Sequence, residues 1–272
     1  MQAKLTSGQI ALAAAKRIVT LAYEKKASHI GGALSVKDIL AVLYADILRY
    51  DPAVPGSPGR DRLFYSKGHA CMALYAVLCE TGFFNEDMLN TFTADGSYFT
   101  SHVNHKVPGI ELSTGSLGHA FGVACGVALA ANRKHQSHRV YVILSDGELD
   151  EGSNWEAFLF AAHHRLSNMV VIIDYNKVQS FGTVNEVMGL EPLADKLRSF
   201  GWDTTEIDGH DHEALRKTFA SAAESQKPVA VIAHTIKGKG VSFMEGKLEW
   251  HYKSPSSAQW QEALASLEQN NV

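Results

Sequence analysis

The spacing of apolar residues predicts three helices and one strand in the first third of the chain. Apolar positions recur at helical spacing from residue 6 to 23, which is typical of a helix with one buried face. A second helix is predicted from Ser35, a favourable N-cap with Asp38 three residues later, to about residue 48. A short run at 62–66 predicts a strand that leads into a helix from about 69 to 80.

From residue 139 onwards, short apolar runs alternate with helical segments. The apolar runs are rich in Val and Ile and lie at 139–144, 169–175, 202–207 and 229–235. Helical periodicity separates them at 153–166, 190–200 and 211–224. This alternation predicts an α/β fold with a mostly parallel sheet and helices on both faces. No linker interrupts the pattern, so residues 1–272 are predicted to form one domain with a C-terminal tail.

Two segments are predicted to be loops. Residues 51–60 contain three prolines and two glycines, which is typical of a surface loop. Residues 92–109 show no clean period, contain Gly and Pro breaks and carry two histidines. A long irregular segment of this kind favours a functional loop.

Composition and charge exclude several classes of protein. The chain of 272 residues is 46% hydrophobic and 20% charged, which is typical of a globular protein rather than a disordered or fibrous one. A net charge of −4 without a basic stripe argues against a nucleic-acid partner. The longest mostly apolar stretch, 117–131, is too short to span a bilayer, so no membrane partner is expected. Cys71, Cys79 and Cys125 lack CxxC spacing, which predicts buried thiols and a reducing, cytoplasmic location.

The strongest chemical signal follows the apolar run that ends at Leu144. There the chain turns at Ser145-Asp146-Gly147, so Asp146 lies at the carboxyl end of a predicted parallel strand, where α/β sheets bind ligands. The next predicted strand leads to Asn176, thirty residues later. A strand, a crossover helix and a second strand need about that length, so Asp146 and Asn176 should emerge side by side if the strands are neighbours.

These groups suit a site for Mg²⁺ and a diphosphate. A carboxylate, an amide oxygen and a nearby backbone carbonyl are hard oxygen ligands, and Mg²⁺ takes its other ligands from phosphates and water. The Gly147 turn and the helix that follows add N–H donors for an anion. Taken singly, Asp146 is more often a turn or N-cap residue and Asn176 a turn residue, and it is their spacing that favours the site. The chain has no GxxxxGK[ST] or GxGxxG motif that would indicate another phosphate site.

Around these residues the sequence resembles the transketolase family. Ser145-Asp146-Gly147 followed by Asn176 is similar to the thiamine diphosphate motif, in which GDG is followed about thirty residues later by Asn. Residues 148–157, ELDEGSNWEA, are similar to transketolases specifically. The other matching motifs are SHIGG at 28–32, SKGH at 66–69, STGSLG at 113–118 and WH at 250–251. They follow the family's order, and the resemblance therefore implies a thiamine diphosphate-binding fold.

The resemblance also implies which residues hold the cofactor. Asp146, Asn176 and the carbonyl of Val178 would hold the metal. Gly147 would meet the diphosphate, and Gly115 and Leu117 would lie against the aminopyrimidine ring.

Catalytic roles are implied in the same way. They fall on His29, His69, His102, His251 and Glu151, with His69 also near the cofactor. Glu151 would help to couple two sites across a dimer, and its alternative is a solvated acid at a helix start.

The sequence departs from the family pattern at three places. Ser145 replaces the first Gly of the diphosphate motif, and His119-Ala120 stands where the family has Gln-Gly. The histidine of the family's PGHP loop falls on His102 with a spacing one residue short, so His105 competes with it. We favour His102.

The histidines also make chemical sense without the family. Imidazole can donate to a developing alkoxide or carry a proton near neutral pH, which suits C–C bond chemistry beside a carbonyl. Any one histidine, taken alone, is more often a capping or core residue. A zinc site is disfavoured because His102 and His105 have no HExxH motif and His163 and His164 point in different directions on a helix. The histidines interpreted as surface or structural are His135, His138, His210, His212 and His234.

One part of a transketolase is missing from the matched motifs. In that family, a carboxylate on the aminopyrimidine ring comes from a second domain on the facing chain, and the motifs here use nearly the whole sequence. The resemblance thus implies the N-terminal subunit of a split transketolase, which transfers a two-carbon ketol unit between sugars or sugar phosphates. A separate C-terminal subunit would complete it, with a homodimer core in an α2β2 heterotetramer. The alternatives are an α subunit of a 2-oxoacid dehydrogenase or deoxyxylulose-phosphate synthase type, and a non-catalytic scaffold.

Overall fold

A five-stranded parallel sheet forms the centre of the computed structural model, which describes residues 5–269. Its strands are β1 (Arg62–Tyr65), β2 (Val140–Ser145), β3 (Met169–Tyr175), β4 (Asp203–Asp208) and β5 (Val229–His234). They lie in the order β1-β2-β3-β5-β4, and every pair of neighbours is parallel. The α/β fold predicted from the alternating pattern is confirmed, and each strand lies within a residue of a predicted apolar run.

Helices connect and cover these strands. They are α1 (Ser7–Glu24), α2 (Ile30–Val42), α3 (Cys71–Glu80), α4 (Glu86–Leu89), α5 (Ala120–Arg133), α6 (Gly152–His163), α7 (Val184–Val187), α8 (Leu193–Ser199), α9 (His212–Ala222) and α10 (Ser257–Gln269). A π-helical turn, Leu43–Ile47, continues α2, and 3₁₀ turns occupy Gly68–Ala70, Gly147–Asp150 and Leu248–His251. Within the described residues, no helix is long and apolar enough to cross a membrane.

The three inner strands β2, β3 and β5 are buried on both faces because they are apolar at almost every position, whereas the edge strand β4 is mostly polar and exposed. Ile143, Ile172 and Val231 point into a core shared with α1, α2, α3, α9 and α10. Val142, Val171 and Ile173 point the other way, into a core shared with α5, α6 and α8. Residues of opposite orientation alternate along each strand, as the two-residue period of a β-strand requires.

The second helix begins earlier than predicted, and Ser35 is not its N-cap. α2 starts at Ile30, and Ser35 lies inside it, fully buried, where its hydroxyl donates to Oδ2 of Asp174 at 2.6 Å. The sequence misled because Gly31 and Gly32 disfavour helix and Ser favours caps. A hydrogen-bond partner on a distant strand outweighs both local preferences.

The segment predicted as a C-terminal tail contains a packed helix. Residues of α10 contact α1, and the ring of Trp260 stacks on Tyr23 with centroids 4.8 Å apart. Ala263 and Leu267 of α10 are buried.

The three cysteines are free thiols, as predicted. Cys71 and Cys125 are buried and Cys79 is partly buried.

Candidate cofactor site

The predicted metal ligands lie at the carboxyl ends of two neighbouring strands. Ser145 of β2 pairs with Asp174 of β3, so Asp146 and Asn176 emerge side by side as expected. The carboxylate of Asp146 accepts hydrogen bonds from the backbone N–H groups of Gly147 at 2.8 Å and Lys177 at 2.6 Å. Both predicted ligand side chains are buried, with Asp146 2% and Asn176 9% exposed.

The oxygen atoms gathered here fit a hard divalent cation. Burial, together with the nearby charge of Asp174, raises the pKa of Asp146 to about 6. A bound cation would offset that unfavourable burial of a carboxylate. The amide oxygen of Asn176 faces the N–H of Val178 at 3.2 Å, which brings the Val178 residue to the same edge.

Residues 5–269 contain no group of three or more His, Cys, Asp or Glu side chains that could hold a metal ion. The predicted set has one carboxylate, one amide and one carbonyl, so it does not depend on such a group. A zinc centre built from histidines would need such a group.

The turn after Asp146 lies under a glutamine that the sequence analysis missed. A Cβ atom on Gly147 would lie 3.2 Å from Cγ of Gln179. Within the part of the chain that the structure describes, Nε2 of Gln179 and Oδ1 of Asp150 are buried without a hydrogen-bond partner. Both residues line the cleft, and buried polar atoms are normally paired. The amide of Gln179 lies close enough to the carboxylate of Asp150 to oppose the rise in pKa that burial causes there, so these two side chains are neighbours in the lining of the cleft.

Four histidines lie close together, and three of them line the cleft. The ring of His29 is 4.8 Å from that of His251, 5.4 Å from His69 and 6.0 Å from His102, measured between centroids. His29 adopts a left-handed backbone with φ of 66°, and its N–H donates to the carbonyl of His251 at 2.8 Å. This conformation is uncommon for a non-glycine residue, and the hydrogen bond to His251 holds it here.

Burial keeps the rings of His29, His69 and His251 neutral near pH 7. Burial, and then the charges of His102 and Lys237, lower the pKa of His29 to about 4. Burial and the charge of Lys237 lower the pKa of His251 to about 3. Burial, and then the charge of Lys67, hold the pKa of His69 well below its usual value. Neutral imidazoles can both donate and accept a hydrogen bond.

His102 and His105 have different surroundings. A Cβ atom on Gly115 would lie 3.1 Å from Cδ2 of His102, so this ring packs directly against the residue predicted to meet the aminopyrimidine. His105 is exposed, and its Nδ1 bonds to the hydroxyl of Ser113 at 2.8 Å. This geometry supports the preference for His102.

The turn that carries Gly115 and Leu117 is held by a buried acid that the sequence analysis also missed. Glu148 is fully buried, and its Oε1 accepts from the N–H of Gly118 at 2.9 Å and from the hydroxyl of Ser66. Gly118 has φ of 79°, and a Cβ there would lie 2.5 Å from Oγ of Ser153, so only glycine fits. Gly118 therefore lies in the turn that precedes α5.

Lys237 is the third functional candidate that the sequence analysis missed. Its ammonium donates to the carbonyl of Val178 at 2.8 Å and lies 3.2 Å from Nδ1 of His251. Burial lowers the pKa of Lys237 to about 8. No motif marks this lysine in the sequence, because it follows β5 in an irregular segment.

Ten of the predicted site residues line one cleft of about 380 Å³. They are His29, His69, Gly115, Leu117, Asp146, Gly147, Glu151, Asn176, Val178 and His251. Glu151 is exposed at the start of α6, where it faces the cleft. His102 is not part of this lining, and it lies against Gly115. A parallel sheet with buried acid, amide and imidazole groups at its carboxyl edge defines a cofactor-binding α/β protein.

Comparison with known proteins identifies the class more closely. Residues 9–265 match the family model described as the transketolase thiamine diphosphate binding domain. The chain belongs to the transketolase family and corresponds to its thiamine diphosphate-binding domain.

The chain is similar to single subunits of transketolases and to longer proteins. It is 43% identical to a subunit of the apulose-4-phosphate transketolase from Phocaeicola vulgatus over 253 residues, which is 93% of this chain and 90% of the relative. It is 44% identical to the 6-deoxy-6-sulfo-D-fructose transketolase subunit SqwG from a Clostridium species, over 90% of each chain.

Solved structures agree with this placement. A transketolase from Leishmania mexicana matches with a TM-score of 0.90 and 28% identity over 99% of this chain. One from Campylobacter jejuni matches with a TM-score of 0.84 and 26% identity over 97%. The chain spans 42% and 46% of the length of these two structures.

Proposed function

We propose that this chain is the cofactor-binding subunit of a split transketolase that uses Mg²⁺ and thiamine diphosphate. It would transfer a two-carbon ketol unit between sugars or sugar phosphates in the cytoplasm, together with a separate C-terminal subunit. The observation that carries the proposal is the convergence of ten residues, named from sequence motifs, on one cleft at the carboxyl edge of the sheet.

The metal side of the cleft would be built from oxygen atoms. Asp146, Asn176 and the carbonyl of Val178 would hold Mg²⁺, which prefers such ligands. Gly147 would meet the diphosphate through its backbone, beside the side chain of Gln179. Gly115 and Leu117 would face the aminopyrimidine ring.

The histidine side would serve the reacting sugar. Thiamine diphosphate, when bound, supplies the carbon nucleophile that attacks a ketose carbonyl. His29, His69 and His251, which are neutral, can donate a hydrogen bond to an oxygen that gains negative charge or take a proton from a hydroxyl. His102 would act from its position beside Gly115.

A second chain would complete the site. Relatives of nearly the same length are named as individual subunits of transketolases, while the matched full transketolases are more than twice as long. Exposed apolar side chains beside the cleft and on α5 and α6 offer surface for protein contacts, namely Val123, Leu159, Phe160 and Phe181. We propose a homodimer of this chain, in which Glu151 lies near the interface, joined by two C-terminal subunits in an α2β2 assembly.

Reconstitution tests this function. The chain alone should show no measurable ketol transfer, because the proposed partner supplies the carboxylate that faces the aminopyrimidine. Adding the C-terminal subunit, obtained by co-purification from the native host, should restore turnover in a ketose screen and give two copies of each chain. Calorimetry with thiamine diphosphate and Mg²⁺ tests cofactor binding separately.

Three results would contradict the proposal. Turnover of roughly 1 s⁻¹ or faster by this chain alone would show that no partner is needed. A reconstituted complex that binds the cofactor but processes only 2-oxoacids would indicate a related thiamine enzyme. A complex that binds no cofactor at all would indicate a scaffold.

A further inference from the structure

His210, which carries no motif, is held at the carboxyl edge of the sheet. It follows β4, whose Asp208 pairs with His234 of β5, and its N–H donates to Oδ1 of Asp208 at 2.8 Å. The N–H of Gly209 donates to the carbonyl of His234 at 2.8 Å. The His210 side chain is only 8% exposed. Backbone contacts on both sides therefore fix where this ring lies.

The ring of His210 joins two parts of the molecule. Nδ1 lies 2.7 Å from Oδ2 of Asp38 on α2, and Nε2 accepts the backbone N–H of Ile236 at 2.9 Å. Since an amide N–H can only donate, Nε2 has no hydrogen, and Nδ1 must carry it and donate it to Asp38. One neutral tautomer satisfies both bonds.

The hydrogen bond between His210 and Ile236 lies next to a residue of the cleft. Lys237 follows directly, and its ammonium reaches the carbonyl of Val178 and lies 3.2 Å from Nδ1 of His251. The stem of Lys237 packs on α2, where a Cβ atom on Gly31 would lie 2.9 Å from Cγ of Lys237. The Lys237 peptide is thus clamped between α2, through Gly31, and the ring of His210.

We propose that His210 is a positioning residue for Lys237, and that it thereby sets the affinity of the cleft for thiamine diphosphate. The inference rests on the proposed function for the identity of the ligand. Removing the acceptor at Nε2 frees the N–H of Ile236, and the ammonium that follows loses its fixed place beside Val178 and His251. His210 itself touches neither the cleft nor its ligand.

Two substitutions separate the two bonds of the ring. Asparagine can donate to Asp38 from the position of Nδ1 but cannot reach Ile236. Glutamine can place an acceptor near the position of Nε2. His210→Asn should therefore weaken thiamine diphosphate binding about tenfold in calorimetry with Mg²⁺, in the range seen when supports of ligating groups are removed, while His210→Gln stays within about threefold of the parent.

His212 is the matched control. It contacts the same carboxylate, with Nε2 3.2 Å from Oδ1 of Asp38, but its other nitrogen bonds to the hydroxyl of Ser7 on α1. His212→Asn should leave cofactor affinity unchanged. An equal loss in His212→Asn and His210→Asn would assign the effect to Asp38 and overturn the proposal.

A double-mutant cycle tests whether the effect passes through Lys237. In the Lys237→Met background, His210→Asn should cause no further loss of affinity. A full tenfold loss in that background would show a general structural role and overturn the proposal.

Hydrogen exchange supplies a readout that does not need the cofactor. Peptides spanning residues 235–240 should exchange faster in His210→Asn than in the parent or in His210→Gln. If the parent binds no thiamine diphosphate, the proposed function fails, and this exchange result still decides the positioning role. Unchanged exchange in His210→Asn would overturn that role.

Discussion

Lys67 and Asp174 form an ion pair beneath the cleft that is almost completely removed from solvent, with side chains 1% and 0% exposed. The hydroxyls of Ser35 and Thr235 donate to the same carboxylate. Through these bonds, Asp174 of β3 joins α2, the end of β1 and the end of β5. The edge of the sheet that carries the site is therefore cross-linked by one buried carboxylate.

Removing one partner of this pair should be strongly destabilising. Lys67→Met should lower the free energy of unfolding by about 3–5 kcal/mol, because the Asp174 carboxylate stays buried without its cation. Lys67→Met combined with Asp174→Asn should cost less than the sum of the single changes. Urea denaturation measures each value.

A surface pair provides the control for that experiment. Lys253 and Glu249 are bonded but 63% and 44% exposed. Lys253→Met should change the free energy of unfolding by less than about 1 kcal/mol. Equal effects of Lys67→Met and Lys253→Met would show that burial does not strengthen the pair at Asp174.

The metal ligand is tested by cofactor affinity. Asp146→Ala should weaken thiamine diphosphate binding in Mg²⁺ at least tenfold, or about 1.4 kcal/mol, with the fold intact by circular dichroism. Asp146→Asn keeps an oxygen but removes the charge, so it should also weaken binding. Asp203→Ala, at an exposed position on β4, is the control. Unchanged binding by Asp146→Ala would remove this residue from the ligand set.

Strand positions were predictable because parallel strands buried on both faces need nearly continuous apolar runs. The run at 169–175 coincides with β3, and Asp146 and Asn176 are neighbours because the crossover length between them fits one helix. Glycines at turns, such as Gly147 and Gly118, were also visible in the sequence because they belong to recognised motifs. Each lies in a short continuous motif, although the residues that contact them are about thirty positions away.

Contacts between side chains that are far apart in the sequence were not predictable. Ser35 was interpreted as a helix cap because its partner, Asp174, lies 139 residues away. Lys237 and Gln179 follow strands in irregular segments without periodicity, and their roles depend on the cleft around them. His210 was interpreted as surface or structural, since nothing local reveals its bond to Ile236.

The imidazoles nearest the cleft are tested by turnover of the assembled enzyme. His69→Ala and His29→Ala should each reduce turnover about 10²-fold or more, as expected when proton transfer or alkoxide stabilisation is lost. Bound Mg²⁺ should stay the same, because neither ring belongs to the proposed set of oxygen ligands. Loss of the metal in either variant would indicate a structural role instead.

The two loop histidines give opposite expectations. His102→Ala should lower turnover about tenfold or more, because the ring lies against Gly115 and 6.0 Å from His29. His105→Ala removes only an exposed ring bonded to Ser113 and should leave turnover within about twofold. A large loss of turnover in His105→Ala and a small one in His102→Ala would show that His105 is the family's loop histidine.

The protonation of His29 gives a test that needs neither cofactor nor partner. Burial lowers the pKa of His29 to about 4, from an ordinary value of 6.5. Its ring signals in an NMR titration should therefore stay constant from pH 8 to pH 5. Between pH 6.5 and 4 the unfolded chain binds a proton at this residue and the folded chain does not, so unfolding becomes easier as the pH falls. His29→Phe removes that proton and should make the fall in stability over this range shallower. A midpoint near 6.5 for the His29 signals would show that the ring is solvated, and the neutral imidazole required beside the cleft would then be absent at mildly acidic pH.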